Sequence, residues 1–332
     1  MPRFSTATVA AVLSERPGLQ RVQLDSGRRA YVLTALIGPV AAGDRVVVNA
    51  TAVDLRLGTG GWDVVHWNLA RDGWSAPGGG HVLKLRYTSL QADTGVAEEH
   101  GAELPADLGG MPVVACDLHS QLAVVAAAFA STAAGRRLVY VMTDSAALPL
   151  AFSDTVAGLR AEGLLAATVT SGQAFGGDHE AVNVYSALQV ARGVAGADAV
   201  VVAPGPGVVG TGTALGFSGL EVSAVLNAAA RMGASAVVAV RWSDADARSR
   251  HRGVSHHTRT ALAMASEAAW VPCPSGFPPP DGLADRHRLV EVPVVDVTAE
   301  VTTMGRGPTE EPGFLRWAAA AGRLAGRMVL DA

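Results

Sequence analysis

Lysine is almost absent from this chain: of 26 basic residues 25 are arginine, and Lys84 is the exception. A phosphate loop of the G-x-x-x-x-G-K-[ST] kind needs its lysine at the phosphates, and a pyridoxal phosphate enzyme needs one for its Schiff base. Lys84 stands in the alternating run HVLKLRYTSL and suits neither task. Pyridoxal phosphate and Walker-type ATP binding are therefore disfavoured, while another nucleotide cofactor stays open. Cysteine is nearly as scarce. Cys116 and Cys273 are too few for a disulfide framework or a four-cysteine zinc site. Each lies in an apolar run, VVACD or WVPCP, where a buried free thiol is expected. Charged residues make up only 17% and the formal net charge is −4, so no basic field draws the chain to nucleic acid. No apolar run reaches the ~20 residues of a membrane-spanning helix. The start, MPRFSTATVAAVLSERPG, is broken by Glu15 and Pro17 and is too weakly apolar for a signal peptide. The expectation is a cytoplasmic protein with no membrane partner.

What is present is 332 residues, 49% of them hydrophobic, enough for two domains. In residues 1–75 the runs TATVAAVL, QRVQLD, RAYVLTAL, DRVVVNATAVDLRL and WDVVHWNL are separated by PG, DSG, AGD and GTGG turn signals. Closely spaced short strands predict a small antiparallel β-barrel, SH3-like or OB-like. An OB-fold raises the thought of single-stranded nucleic acid, which needs a basic groove with stacking aromatics. Arg28 and Arg29 are the only adjacent basic pair among these strands, so Trp62, Trp67 and Trp74 read as packing residues. Residues 76–110 read as a linker with one extra strand, HVLKLRYTSLQ. Residues 111–332 then alternate continuous apolar strands with helical segments. That rhythm predicts an α/β domain with a mostly parallel, doubly wound, Rossmann-like sheet, whose ligands sit at the carboxyl ends of the strands.

Two segments at such ends carry chemistry. APGPGVVGTGTALGFSG follows an apolar strand and contains G-x-G-x-x-G at Gly205, Gly207 and Gly210. Glycines let backbone amides approach an anion, and a helix N-terminus adds partial positive charge. Gly212 extends the loop, and Thr211, Thr213 and Ser218 offer hydroxyls to phosphate oxygens. Ser218-x-x-Glu221 reads as a capping box that opens the next helix. Three departures weaken a dinucleotide site. The helix opens eight residues after Gly210, the ribose-binding acid is displaced to Asp244 or Asp246, and Glu221 repels anions. After the next strand comes RWSDADARSRHRGVSHHTR. Arg250 and Arg252 can clamp a phosphate or carboxylate, and His251 or His256 can move a proton near neutral pH. Asp244 and Asp246 complete the candidate catalytic set, with Ser255 as the cap of the following helix. His251, His256, Asp244 and Asp246 could in principle ligate a metal, but their spacing matches no zinc pattern, so no metal site is assigned. Asp117, His119 and Asp144 follow two other strands, with helix capping as the plain alternative. Arg306, between two glycines in MGRGPTEEPGF, suits an anion contact. No G-x-S-x-G elbow occurs, which disfavours a serine hydrolase.

PGPGVVGTGTALGFSG, RHRGVSHHT and MGRGPTEEPGF together resemble the bacterial, mainly actinobacterial, domain-of-unknown-function family 3866 over nearly the whole chain. The resemblance implies membership and no catalytic roles. Two functions follow from the residues. One is an enzyme acting on a small phosphorylated or nucleotide-like anion held by the glycine loop. The other is a non-catalytic sensor or assembly protein that binds the same ligand and offers its barrel to a protein partner. The C-terminal helix, FLRWAAAAGRLAGRMV, is amphipathic; it reads as a sheet cover, with a homodimer contact as the lesser reading.

Overall fold

The computed structural model describes residues 1–57, 60–293 and 301–332. It divides into two compact units, Met1–Gly95 and Val96–Ala332.

The first unit is built on β1 (Phe4–Arg16), β2 (Leu19–Leu24), β3 (Arg29–Val32), β4 (Arg45–Asn49) and β5 (Trp62–Asn68). They close into a barrel in the order β1-β2-β3-β5-β4. β3 and β5 run parallel while the other pairs are antiparallel. This is the Greek-key connection of an OB-type barrel and not a simple meander. Inward alternation fills it with Val9, Val22, Leu24, Ala30, Val32, Val46, Val48 and Val65. Two runs read as strands stop early. RAYVLTAL turns into a helical turn, α1 (Thr34–Ile37), and DRVVVNATAVDLRL into α2 (Thr51–Asp54). Residues 58 and 59 of the GTGG turn lie outside the described residues. Arg28 grips the buried Asp63 through two bonds of 2.6 and 2.7 Å. Arg29 lies 4.5 Å over the Trp62 ring, which stacks on Tyr31 at 4.9 Å. The run HVLKLRYTSLQ forms only the two-residue strand β6 (Leu83–Lys84), paired with β7 (Ala92–Asp93). Leu85 and Tyr87 have positive φ, which bends the chain out of a ladder.

The second unit is an all-parallel sheet of eight described strands. They are β8 (Pro112–Cys116), β9 (Leu138–Thr143), β10 (Ala167–Ser171), β11 (His179–Ala181), β12 (Ala199–Pro204), β13 (Ser235–Ala239), β16 (Trp270–Pro274) and β17 (Arg288–Val292), with the hairpin β14 (Trp242–Ser243) and β15 (Gly253–Val254) beside it. The sheet order is β11-β10-β9-β12-β8-β13-β16-β17. Helices α3 (Gln121–Thr132), α4 (Asp154–Ala161) and α8 (Pro312–Asp331) pack with Val114, Cys116 and Tyr140 on one face. Helices α5 (Val184–Gly193), α6 (Glu221–Arg231) and α7 (His256–Met264) pack with Val113, Ala115 and Val139 on the other. Covering both faces explains why the strands carry continuous apolar runs. The C-terminal helix covers the sheet as its pattern predicts, and Gly322 and Gly326 let it press against α3.

In ALPLAFSDTVAGLRAEG only Asp154–Ala161 is α-helical, and Ser153 caps it by accepting from the Val156 amide. DHEAVNVYSALQ begins with the edge strand β11 before its helix. Residues 294–298 of RLVEVPVVDVT lie outside the described residues.

The chain leaves β8 toward α3 on one face and leaves the adjacent β12 toward α6 on the other. Neighbouring loops that diverge this way mark the topological switch point, where ligands of open α/β sheets bind. No described helix is long and apolar enough to cross a membrane.

Candidate active site

At the switch point the loops are tied to one another by hydrogen bonds. After β8, Gln121 pins the loop: its Oε1 accepts the Asp117 and Leu118 amides at 3.1 Å and its Nε2 donates to the Ala239 carbonyl at 2.8 Å. His119 bridges to the next loop. Its Nδ1 donates to the Pro204 carbonyl at 2.9 Å, which leaves Nε2 to accept from Ser153 Oγ at 2.7 Å. A carbonyl can only accept, so this tautomer follows from the partners. Burial lowers the pKa of His119, and with both nitrogens engaged it joins the loops together.

The glycine loop is also largely self-contained. A side chain on Gly205 would lie 2.2 Å from the Ala147 carbonyl oxygen, so this glycine permits contact with another backbone segment. Thr211 Oγ1 donates to the Gly216 carbonyl at 3.0 Å, and Thr213 Oγ1 accepts the Gly216 amide at 3.0 Å. The loop closes on itself as Ser218 Oγ accepts from the Val209 amide at 3.2 Å. The capping box therefore does not form. Residues Ser218–Leu220 make a 3-10 turn, the cap of α6 is Leu220, and Glu221 accepts from Thr143 Oγ1 at 2.6 Å. Gly207 and Gly210 shape this exposed loop. Its link to the other candidate segment is physical: Gly212 approaches the Arg250 guanidinium, and Phe217 stacks on His257 with ring centroids 3.8 Å apart.

Beyond β13 the hairpin β14–β15 returns the chain to α7, and this brings three histidines together. Ser255 caps α7, its hydroxyl accepting the His257 amide at 3.2 Å while it bonds His251 Nδ1 at 2.8 Å. Arg241 donates to His257 Nδ1 at 2.9 Å. One ring nitrogen each of His251, His256 and His257 lies within 4.8 Å of the others. Burial, reinforced by Arg241, lowers the His251 pKa to about 4 and the His257 pKa to about 3. Burial and Arg250 lower that of His256. All three rings are neutral at pH 7. His256 Nε2 is buried without a hydrogen-bond partner among the described residues.

Asp117 closes the cluster from below. It is 4% exposed, and among the described residues neither carboxylate oxygen has a hydrogen-bond partner. Its Oδ2 lies 3.8 Å from His257 Nδ1 and 4.0 Å from Arg241. Burial pushes its pKa up to about 6, against the pull of Arg241. Gly219 makes room for it, since a side chain there would meet Asp117 Cβ at 3.0 Å.

Above the cluster a cleft of about 450 Å³ is lined by Arg250, Arg252, Arg259 and His256, with Trp242, Val254, Pro278–Pro280 and Asp281 completing its walls. Arg250 has no hydrogen-bond or ion-pair partner among the described residues. Arg252 donates to the Asp246 carbonyl at 3.3 Å and Arg259 to the Asp281 carbonyl at 3.0 Å.

Other candidates are drawn into scaffold. Asp244 accepts from the Trp242 indole at 2.8 Å and from the Gly313 amide at 2.6 Å, tying the hairpin to α8. Asp246 takes Nε and Nη2 of Arg248 at 2.9 and 2.8 Å, and these bonds hold its pKa well below the usual carboxylate range. Arg306 bonds Glu311 and reaches Asp246 at 3.4 Å. Asp144 accepts the Gln173 amide at 2.9 Å. Both thiols are free and buried, and burial raises their pKa values. Sequence reasoning missed His257, Arg241, Phe217 and Gln121. The HHT run directly after the Ser255 cap was the one available signal, because a cap fixes where both imidazoles leave the helix.

A comparison with curated proteins finds no match. The family model described as "Protein of unknown function (DUF3866)" matches residues 29–322, from β3 of the barrel into α8, and the chain belongs to that family.

Proposed function

We propose that this protein binds a small anionic metabolite, carrying phosphate or carboxylate, in the arginine-lined cleft, and that the histidine cluster beneath it acts on the ligand. The observation that carries this reading is the convergence of Arg250, Arg252, Arg259 and His256 on one cleft. Guanidinium groups recognise phosphate and carboxylate through paired N–H donors. The apolar walls of Trp242, Val254 and the prolines suit an organic body attached to the anion. The glycine loop takes part as the border that approaches Arg250 and carries Phe217, not as a phosphate cradle.

Thermal-shift titration with inorganic phosphate, nucleotides, sugar phosphates and small carboxylates tests the reading, because a ligand that binds the folded state raises Tm with its excess over Kd. At least one compound should shift Tm, and Arg250→Ala or Arg252→Ala should weaken it roughly tenfold or more, the scale of one charge-assisted hydrogen bond. A panel without any shift, or a shift unchanged in both variants, removes the reading. A ligand recovered unaltered after long incubation makes the protein a sensor; a converted ligand makes it an enzyme.

A further inference from the structure

The three imidazoles of the cluster are not stacked on one another, although His257 stacks on Phe217. The His251, His256 and His257 centroids are 4.4 to 4.8 Å apart, with planes crossed at 50°, 87° and 70°. The rings fan around one point and are not stacked face to face. His256 and His257 are neighbours in the first turn of α7, where successive side chains diverge by about 100°. His251, earlier in the chain, brings a third ring to within 4.8 Å of both. His251 Nδ1 is held by Ser255 and His257 Nδ1 by Arg241, so Nε2 is the nitrogen left over on each. The remaining ring offers His256 Nε2, buried and unpartnered. Within the same cluster both Asp117 oxygens are buried with no hydrogen-bond partner among the described residues. Buried polar atoms in folded proteins are nearly always satisfied, so three such atoms in one place call for a missing partner.

We propose that His251, His256 and His257 form a three-imidazole site for a divalent transition metal ion of the zinc class, with Asp117 as the carboxylate that positions His257. Imidazole nitrogens select zinc, cobalt or similar ions over magnesium and calcium, which take oxygen ligands. Three protein ligands leave a fourth position open, as in catalytic and unlike structural zinc sites. His256 lines the cleft, which puts that position on the ligand side. Asp117 supplies the outer partner that a ligating histidine usually has. Arg241 donates to His257 Nδ1, so the neutral ring carries its hydrogen on Nε2. Metal at Nε2 requires that hydrogen to sit on Nδ1 instead. Asp117 Oδ2, 3.8 Å away, is placed to accept it, and Arg241 yields the nitrogen while staying near the same oxygen at 4.0 Å. No net proton is gained or lost by the ring. The positive charge of Arg241, Arg248 and Arg250 around the cluster is offset by Asp117 and by an anion entering from the cleft. This deepens the cleft reading, but the metal is tested without any anion.

The full-length protein, stripped with a chelator and dialysed, is titrated with Zn²⁺ alone by calorimetry and with Co²⁺ alone by visible absorption. The expected result is one equivalent of either ion and the ligand-field bands of four- or five-coordinate Co²⁺. His256→Ala and His251→Gln should each abolish stoichiometric binding while circular dichroism shows the fold retained; should one fail to fold, the other carries the test. Asp117→Asn should weaken binding 10- to 100-fold and keep the Co²⁺ bands. Arg250→Ala should lose anion affinity and keep the metal. Absence of stoichiometric binding, or binding unaltered in a folded histidine variant, overturns the proposal. That failure leaves the cleft reading standing if anions still bind, whereas metal binding with no anion binding leaves the site and removes the cleft reading.

Discussion

Asp246 and Asp117 are both buried, 2% and 4% exposed, on loops that meet above one sheet, yet their surroundings are opposite. Around Asp246 every group is occupied. Arg248 grips it through backbone and side chain, Arg306 reaches across, and Glu311 accepts Arg306, Ser243 Oγ and the Asp244 amide together. Among the described residues no hydrogen bond reaches the Asp117 carboxylate or His256 Nε2, and Arg250 has no hydrogen-bond or ion-pair partner. A carboxylate with several donors is scaffold, because its hydrogen-bonding capacity is exhausted within the fold. Unused capacity in a buried place is costly, and folds retain it where a ligand completes it. Charge density alone does not separate the two regions; the hydrogen-bond census does.

The sharpest way to break the contrast is Glu311→Ala, which strips the occupied network of its centre. It should cost about 3–5 kcal/mol, the scale for breaking a buried charged pair, as read by urea unfolding; a loss below about 1 kcal/mol would show that the network holds nothing. Asp117→Asn should do the reverse. Its folded pKa of about 6 stands above the ordinary 3.8, so the folded state binds the proton more tightly than the unfolded chain. The contribution of Asp117 to stability is therefore fully present below pH 4 and lost as pH rises through 6. The asparagine variant should gain up to about 3 kcal/mol over the parent at pH 7 and match it near pH 3. A difference independent of pH would remove the buried carboxylate without hydrogen bonds from the account.

Smaller effects refine the same contrast. Arg306→Ala should destabilise by about 1.5–3 kcal/mol and leave anion affinity alone. Arg250→Ala should change stability by less than about 0.5 kcal/mol while losing anion affinity. Chemical unfolding beside a phosphate titration separates the pair, and equal behaviour would erase the distinction between them. Thr211→Ala should matter least, costing about 1 kcal/mol or less of turn stability with anion affinity within twofold. A larger loss of affinity would return the glycine loop to direct ligand contact.

Much of the fold was readable along the chain. Continuous apolar runs such as VVAC, LVYVM and AVVVA predict strands covered on both faces, and they are. RAYVLTAL was overread because its apolar pattern does not reveal where a barrel must turn into α1. The site was half readable. The density of arginine and histidine after β13 points to the loop that lines the cleft, and Ser255 marks the helix start that the structure shows. Asp244, Asp246 and Arg306 looked equally available in the string, since composition does not say which charges face one another.

Local spacing determines the alternation of strand and helix here, because apolar period and turn residues act over a few positions. The scarcity of lysine likewise directs anion recognition to arginine whatever the fold. Only the tertiary structure brings Asp117, Arg241 and His257 within 4.0 Å across 140 positions of chain, gives Asp246 its partners and withholds them from Asp117. Partner choice among like residues depends on which strands become neighbours, and the crossing of β8, β12 and β13 in the sheet settles that.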